Sequence, residues 1–150
     1  MQQLLDNGHH FTFVGTAKIG VELMSGLGAL HRLSIIHRAI KPANVHIAKD
    51  QRLRILDLGV AYCKNAGKME SMQNPVFNNP EFQNPGTPIY MAPELFDGAQ
   101  ANEQSDIYAA GVTLYHLLSR KYPFGEIEPF QHPKFGEPTA LTRYRPDIPA

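Results

Sequence analysis

The chain has 150 residues, 43% of them hydrophobic, and its 14 basic residues balance its 14 acidic residues. This length and apolar content predict one globular domain with a core, and the neutral balance predicts neither a nucleic-acid partner nor binding to an anionic membrane. The single cysteine excludes an internal disulfide framework, and the absence of a signal-peptide pattern or an apolar run near about twenty residues predicts a cytoplasmic protein.

The first long helix is predicted over residues 16–33, with Thr16 as its N-cap. Apolar side chains at helical spacing form one stripe along it: Ile19, Leu23, Leu27 and Leu30. Three internal glycines lower the helix propensity, so we expect burial of this stripe to hold the helix together.

A polar loop and a hairpin follow the helix. Residues 37–44 form the loop, because Pro42 is incompatible with a regular strand there. Two short apolar segments, residues 45–48 and 53–56, flank the turn sequence KDQR. This pattern predicts an antiparallel hairpin.

A long loop and a second helix complete the predicted elements. Residues 64–88 lack periodicity and contain several prolines, and loops of that length are usually functional or mobile. Residues 105–119 predict a strong helix, capped by Ser105 or Asp106, and its lack of charge predicts burial on most sides. Its predicted apolar stripe is Ile107, Ala110, Gly111, Leu114, Leu117 and Leu118. Residues 122–150 return to proline-rich loop.

Four short motifs carry candidate chemistry: HRAIKPAN at 37–44, DLG at 57–59, GTPIYMAPE at 86–94 and SDIYAAG at 105–111. Asp57 ends the hairpin, and Gly59 lets the chain turn, which suits a metal ligand. Asn44 offers a neutral oxygen to the same hard cation, and Lys41 can neutralise a transferring phosphoryl group. Taken singly, each has a structural alternative: DLG as an ordinary turn, and Asn44 as a loop hydrogen-bonder.

In this order the motifs resemble the C-terminal lobe of eukaryotic-like bacterial Ser/Thr protein kinases, whose pattern is H-R-D-L-x-x-x-N, then D-F-G, then A-P-E. The resemblance covers roughly residues 5–150. It implies an α+β, mainly α-helical, protein-kinase-like fold with only its C-terminal lobe in this chain. Residues 122–150 further resemble bacterial proteins that join such a kinase domain to a metal-dependent phosphatase, so a covalently linked phosphatase domain is expected in the parent protein.

The resemblance implies a role for each matching residue. Position 39 belongs to the general base, and here it is Ala39. Lys41 would contact the γ-phosphate of ATP, and Asn44 and Asp57 would hold Mg²⁺. Thr87 would bond the missing carboxylate and help shape the site for a protein substrate.

Further positions carry structural or regulatory roles in the resemblance: His37, Arg38, Gly59, Glu94 and Asp106. Arg38 would bind a phosphorylated activation segment, residues 57–94, in which Ser71 is the one Ser or Thr before Thr87. Asp106 would brace the catalytic loop from the second helix. Glu94 would pair with an arginine further along the family's chain.

The departures from the family pattern predict an impaired enzyme. Residues 1–34 contain neither G-x-G-x-x-G nor a V-A-I-K-like strand, so we expect the nucleotide-binding lobe, and the last helices of the second lobe, to be missing. A general base contributes about 10²–10⁴-fold, and loss of phosphate positioning costs more. ATP and Mg²⁺ binding by this chain is expected only because of the family resemblance. An exposed apolar face predicts a marginally stable protein that tends to associate or aggregate.

Three interpretations stay open at this point. The chain belongs to a working Ser/Thr kinase that has lost its base and flanks, or it is a pseudokinase that binds a partner protein or nucleotide, or it is a truncated gene product without a function. Ala39 as an engineered change also stays open, since a sequence does not record how a residue arose.

Overall fold

Two long helices packed against each other form the centre of the computed structural model, which describes residues 1–64, 87–127 and 132–149. Ser71 and most of the predicted long loop lie outside the described residues. The helices are α1 (Gln2–Asp6), α2 (Phe13–Arg32), α3 (Pro93–Phe96) and α4 (Glu103–Ser119). The strands are β1 (Ile35–Ile36), β2 (Val45–Ile47), β3 (Leu53–Ile55) and β4 (Tyr62–Cys63). Short 3₁₀ turns occupy Pro42–Asn44, Pro88–Tyr90 and Leu141–Arg143.

Helix α2 begins three residues earlier than predicted. Thr12 has extended backbone angles, and its hydroxyl accepts a hydrogen bond from the Gly15 amide at 3.1 Å, so Thr12 is the N-cap. The prediction of Thr16 as the cap is wrong, because Thr16 lies one turn inside the helix and is buried.

The apolar stripe of α2 is confirmed. Its isoleucine and two of its leucines are buried in the core, and Leu30 packs against that core. Glycines allow the close packing: a Cβ on Gly26 would lie 2.9 Å from Ile55 Cδ1, and one on Gly20 would lie 3.2 Å from Leu114 Cδ1. The glycines that weaken the helix therefore let the hairpin and α4 approach it.

Helix α2 is also, within the described ranges, long and apolar enough to meet a length-and-composition test for a membrane span. The prediction that no segment approaches that length is wrong. Its buried face packs on α4 and on the hairpin.

The predicted hairpin is confirmed, with each strand ending one residue early. Strands β2 and β3 are antiparallel, with Val45 opposite Ile55 and Ile47 opposite Leu53. A second antiparallel pair, β1 with β4, places Ile36 opposite Tyr62. That pair was not predicted, because its strands are two residues long and far apart in sequence.

Helix α4 is confirmed, but its cap and its buried face differ from the prediction. Asn102 is the N-cap, and its side chain and that of Ser105 bond each other's backbone N–H in a capping box. Ile107 is 45% exposed and Gly111 is exposed. This helix carries apolar residues on all of its sides, so their spacing alone does not predict which side is buried. The buried residues are Ser105, Asp106, Ala109, Ala110, Val112, Thr113, Leu117 and Leu118.

The C-terminal residues fold back over the ends of α2 and α4. The Arg145 guanidinium donates to the carbonyls of Phe11 and Leu118 at 3.1 and 3.0 Å, and it also pairs with Asp147. Over the described residues 122–127 and 132–149, the predicted loop is thus confirmed apart from the 3₁₀ turn Leu141–Arg143.

Candidate active site

The loop at residues 37–44 is fixed to α4 by one buried carboxylate. Asp106 is 1% exposed, and its Oδ2 accepts the His37 N–H at 2.8 Å while its Oδ1 accepts the Arg38 N–H at 2.9 Å. Charge-assisted bonds of this kind are stronger than neutral ones, and here they satisfy two backbone donors that no strand or helix uses. Asp106 therefore fixes the backbone of His37 and Arg38 to α4.

His37 fills the space under the loop and is fully buried. Its Nε2 lies 2.9 Å from the Leu56 carbonyl oxygen, and its Nδ1 lies 3.2 Å from the Ala39 amide nitrogen. A carbonyl can only accept and an amide N–H can only donate, so the neutral ring carries its proton on Nε2. His37 thereby connects the loop to the end of the hairpin.

His31 is a site residue that the sequence did not reveal. Its Nε2 donates to Asp106 Oδ2 at 2.9 Å from the last turn of α2. The two residues are separated by 75 positions, and no motif or spacing joins them. A third donor on one buried carboxylate further fixes the loop's anchor.

Asn44 closes the loop on itself. Its side-chain amide nitrogen donates to the Ala39 carbonyl at 2.7 Å, and its backbone carbonyl accepts the Leu56 N–H at 2.8 Å. With the nitrogen used inside the loop, the amide oxygen is the group that can act as a ligand.

Asp57 follows the hairpin at an exposed corner. Its backbone is left-handed, with φ of 63°, and its Oδ1 accepts the Gly59 N–H at 3.1 Å. Leu58, which replaces the family's phenylalanine, is 52% exposed. The conformation turns the chain sharply at the point where the sequence predicts a metal ligand.

The donor set of Asn44 and Asp57 fits Mg²⁺. One amide oxygen and one carboxylate are hard ligands, and Mg²⁺ is commonly held by one or two carboxylates together with water and substrate phosphates. No group of three or more His, Cys, Asp or Glu side chains suited to a metal occurs among the described residues. By the chemistry of their oxygen atoms, Asn44 and Asp57 are therefore the residues that would hold Mg²⁺.

Lys41 and Thr87 meet across the cleft. Lys41 Nζ donates to Thr87 Oγ1 at 2.8 Å, which joins the loop to the segment before α3. Arg38, Ala39, Tyr90 and further side chains line the same cleft. Lys41 and Thr87, two residues to which the resemblance gave roles in the reaction, are thus brought together, and Ala39 lines the same cleft.

Arg38 points toward the exposed corner. Its backbone is left-handed, with φ of 65°, and its Nε donates to the Val60 carbonyl at 2.6 Å. Burial lowers the pKa of its guanidinium, and the Asp106 charge opposes that shift. Arg38 therefore contacts the start of the segment that it was predicted to control.

Aromatic residues beside the cleft were not predicted as site residues. Tyr90 packs edge-on against Tyr122 with ring centroids 6.0 Å apart, and burial, then a bond to Tyr122, raise the Tyr90 pKa far above its usual range. Tyr122 also stacks on His116 at 4.3 Å. No sequence signal separates such residues from ordinary core aromatics.

Glu94 lies in α3, where its charge adds to the burial that raises the pKa of Tyr108 to about 12. Its pairing with an arginine stays a prediction.

Comparison with known proteins agrees with this geometry. The family "Protein kinase domain" matches residues 1–137. The chain is 39% identical over 126 residues to serine/threonine-protein kinase par-4 of Caenorhabditis elegans, covering 83% of this chain and 20% of par-4. It is 35% identical over 120 residues to the probable serine/threonine-protein kinase PknB of Corynebacterium glutamicum, covering 80% of this chain and 18% of that protein. A probable serine/threonine-protein kinase of Streptomyces coelicolor is 30% identical, covering 99% of this chain and 21% of that protein.

The chain therefore belongs to the protein kinase domain family, and it resembles serine/threonine kinases of that family. It spans about a fifth of the length of these curated relatives.

Proposed function

We propose that the chain is the C-terminal lobe of a serine/threonine protein kinase domain, in which phosphoryl transfer from ATP to a protein hydroxyl is impaired at the proton-removal step. The observation that carries this proposal is the 2.8 Å bond from Lys41 to Thr87 beside Ala39. It joins the catalytic loop to the substrate-side segment around a position that has no proton acceptor.

Each residue has one part in this reaction. Lys41 would stabilise negative charge on the transferring phosphoryl group, and Thr87 would position the substrate side of the cleft. Asn44 and Asp57 would hold Mg²⁺, which neutralises phosphate charge when bound. Ala39 cannot accept a proton from the substrate hydroxyl, which on its own slows transfer by about 10²–10⁴-fold.

We also propose that this chain belongs to a larger protein. A nucleotide-binding lobe would contribute the phosphate clamp that the motifs of this chain do not supply. A cytoplasmic location and a covalently linked phosphatase domain both stay predictions that rest on the sequence alone.

A second candidate is a pseudokinase that binds a nucleotide or a partner protein without transferring phosphate. It is favoured by a loop that Asp106 and Asn44 hold in place by hydrogen bonds, combined with alanine at position 39. The third interpretation, a truncated product without function, predicts a chain that does not bind nucleotide.

Thermal unfolding with and without Mg²⁺ and ATP tests nucleotide binding. At about 100 times its dissociation constant, Mg·ATP should raise the free energy of unfolding by about 2.7 kcal/mol. The Asp57→Asn variant should lose that shift, because it removes the carboxylate ligand. Asp50→Asn is the matched control, since Asp50 is an exposed carboxylate in the hairpin turn that pairs with Arg54, and it should keep the shift.

Two results would overturn the nucleotide-binding part of the proposal. An unfolding curve that Mg·ATP leaves unmoved would mean that the motifs no longer bind nucleotide. An equal shift in Asp57→Asn would mean that nucleotide binds elsewhere on the chain.

Restoring the carboxylate at position 39 distinguishes the impaired kinase from the pseudokinase. In the full-length parent protein, Ala39→Asp should raise phosphate incorporation into a serine-containing protein by about 10²–10⁴-fold if the site is an impaired kinase. Retained Mg·ATP binding with no gain in transfer would favour the pseudokinase.

A further inference from the structure

We propose that the cleft above Ala39 is a binding site for a carboxylate, which takes the place of the side chain that position 39 lacks. The naming of this position as the place of the base rests on the proposed function. The binding of a carboxylate there rests on the contacts described below and requires no nucleotide.

The donors come from Lys41 and Thr87. An ammonium group has three N–H donors, and Lys41 uses one on Thr87 Oγ1 among the described residues. Thr87 accepts that bond, so its hydroxyl hydrogen remains able to donate. The two donor groups are 2.8 Å apart, close enough for the two oxygens of a single carboxylate to accept from both.

The charge and shape of the cleft favour an anion. Arg38 and Lys41 line it, and the carboxylate that also lines it, Asp106, already accepts three hydrogen bonds. The remaining lining includes Met91 and Leu95, whose apolar surfaces strengthen a charge interaction by excluding water.

The size of the ligand follows from position 39. Alanine differs from aspartate by one carboxyl group, so the space next to the methyl group suits a carboxylate with little attached to it. Formate and acetate fit this description as free ions, and so does an aspartate side chain on a peptide that binds in the cleft.

Nuclear magnetic resonance of the ¹⁵N-labelled 150-residue chain tests this directly. Formate titrated against sodium chloride at equal ionic strength should shift the amide signals of Ala39, Lys41 and Thr87, with a dissociation constant of about 10 mM. Lys41→Gln should weaken binding about tenfold or more, whereas Lys49→Gln, at an exposed lysine in the hairpin turn, should leave it unchanged.

Ala39→Asp is the decisive variant, because its own carboxylate fills the site, so formate should no longer bind. Equal formate binding by Ala39→Asp and by the unchanged chain would overturn the proposal. So would signals that formate moves no more than chloride does, in a sample whose dispersed spectrum shows that the chain is folded.

Two blocked peptides distinguish the source of the carboxylate. A tripeptide with central aspartate that shifts the same signals, when its asparagine counterpart does not, assigns the site to a polypeptide side chain. Formate binding with no response to either peptide assigns it to a small carboxylate. Neither the formate titration nor the peptide titration uses ATP. A chain that binds formate but not Mg·ATP would therefore refute the nucleotide-binding proposal and support the carboxylate-binding proposal.

Discussion

Two neighbouring parts of the site are built in different ways. The anchored loop, residues 37–44, is held by the buried Asp106 carboxylate and by the fully buried His37 ring. The exposed corner, residues 57–60, has a left-handed Asp57 and a half-exposed Leu58. Among the described residues, the Asp57 carboxylate accepts from the Gly59 amide, and the Val60 carbonyl accepts from Arg38 Nε. We infer that the loop is formed without a ligand, whereas the conformation of the corner depends on what binds there.

The largest effect is expected from Asp106→Ala. The change leaves the His37 and Arg38 amides without their buried acceptor and removes the partner of His31. Unsatisfied buried donors cost about 1–3 kcal/mol each, so the free energy of unfolding should fall by about 3–5 kcal/mol. Urea unfolding followed by far-ultraviolet circular dichroism measures this loss.

Asp97→Ala is the control for that experiment. Asp97 is an exposed carboxylate that pairs with His132, and its loss should change stability by no more than about 0.5 kcal/mol. Similar losses in the two variants would contradict the account of the anchored loop.

A smaller effect is expected from Thr87→Val. The substitution keeps the shape of the side chain and removes the acceptor of the Lys41 hydrogen bond, so it should cost about 1 kcal/mol of unfolding free energy. It should also weaken formate binding in the cleft, by less than Lys41→Gln does, because it removes a neutral donor rather than a charged one. A variant as stable as the unchanged chain would show that the bond contributes little to the fold.

Asp57→Asn should barely change the stability of the ligand-free chain. The exposed side chain keeps an oxygen that can accept from Gly59, so the expected change is within about 0.5 kcal/mol. Urea unfolding without Mg²⁺ checks it. A loss of several kcal/mol would mean that the corner is structural, like the loop.

The smallest effect is a pH dependence at the start of α4. Glu103 pairs with Lys64 at 2.7 Å, and that contact lowers the pKa of the Glu103 carboxyl below its ordinary value of 4.5. A lowered folded-state pKa contributes stability above pH 4.5 that is lost as the pH falls through the folded value. The melting temperatures of Glu103→Gln and the unchanged chain should therefore differ slightly at pH 7 and converge near pH 3, and a constant difference would contradict this.

The sequence predicted most of the long elements because their signals are local. The stripe of α2 and the apolar segments around KDQR each repeat at the period of their structure. The N-caps were harder to predict from the sequence. Thr12 and Asn102 are the caps, and other hydroxyl and acidic residues lie close to each of them in the sequence. Several residues with the same capping chemistry compete at each end, and tertiary packing decides between them.

The sequence likewise predicted some residues of the site and missed others. The family motifs brought out Lys41 and Thr87, because each sits inside a fixed sequence pattern. His31 and the Tyr90–Tyr122 contact stayed hidden, because they depend on how α2 and the segment before α3 meet α4. Contacts between distant segments leave no spacing that a single sequence can reveal.

Amide hydrogen exchange in the ligand-free chain tests the central claim most directly. The account predicts that the His37 and Arg38 amides exchange at least about 10³-fold more slowly than those of Leu58 and Gly59, because Asp106 holds the first pair in the core. Mg·ATP should then slow exchange at Leu58 and Gly59 and leave the first pair unchanged. Comparable rates at all four amides without ligand would contradict the account, since loop and corner would then be equally dependent on what binds.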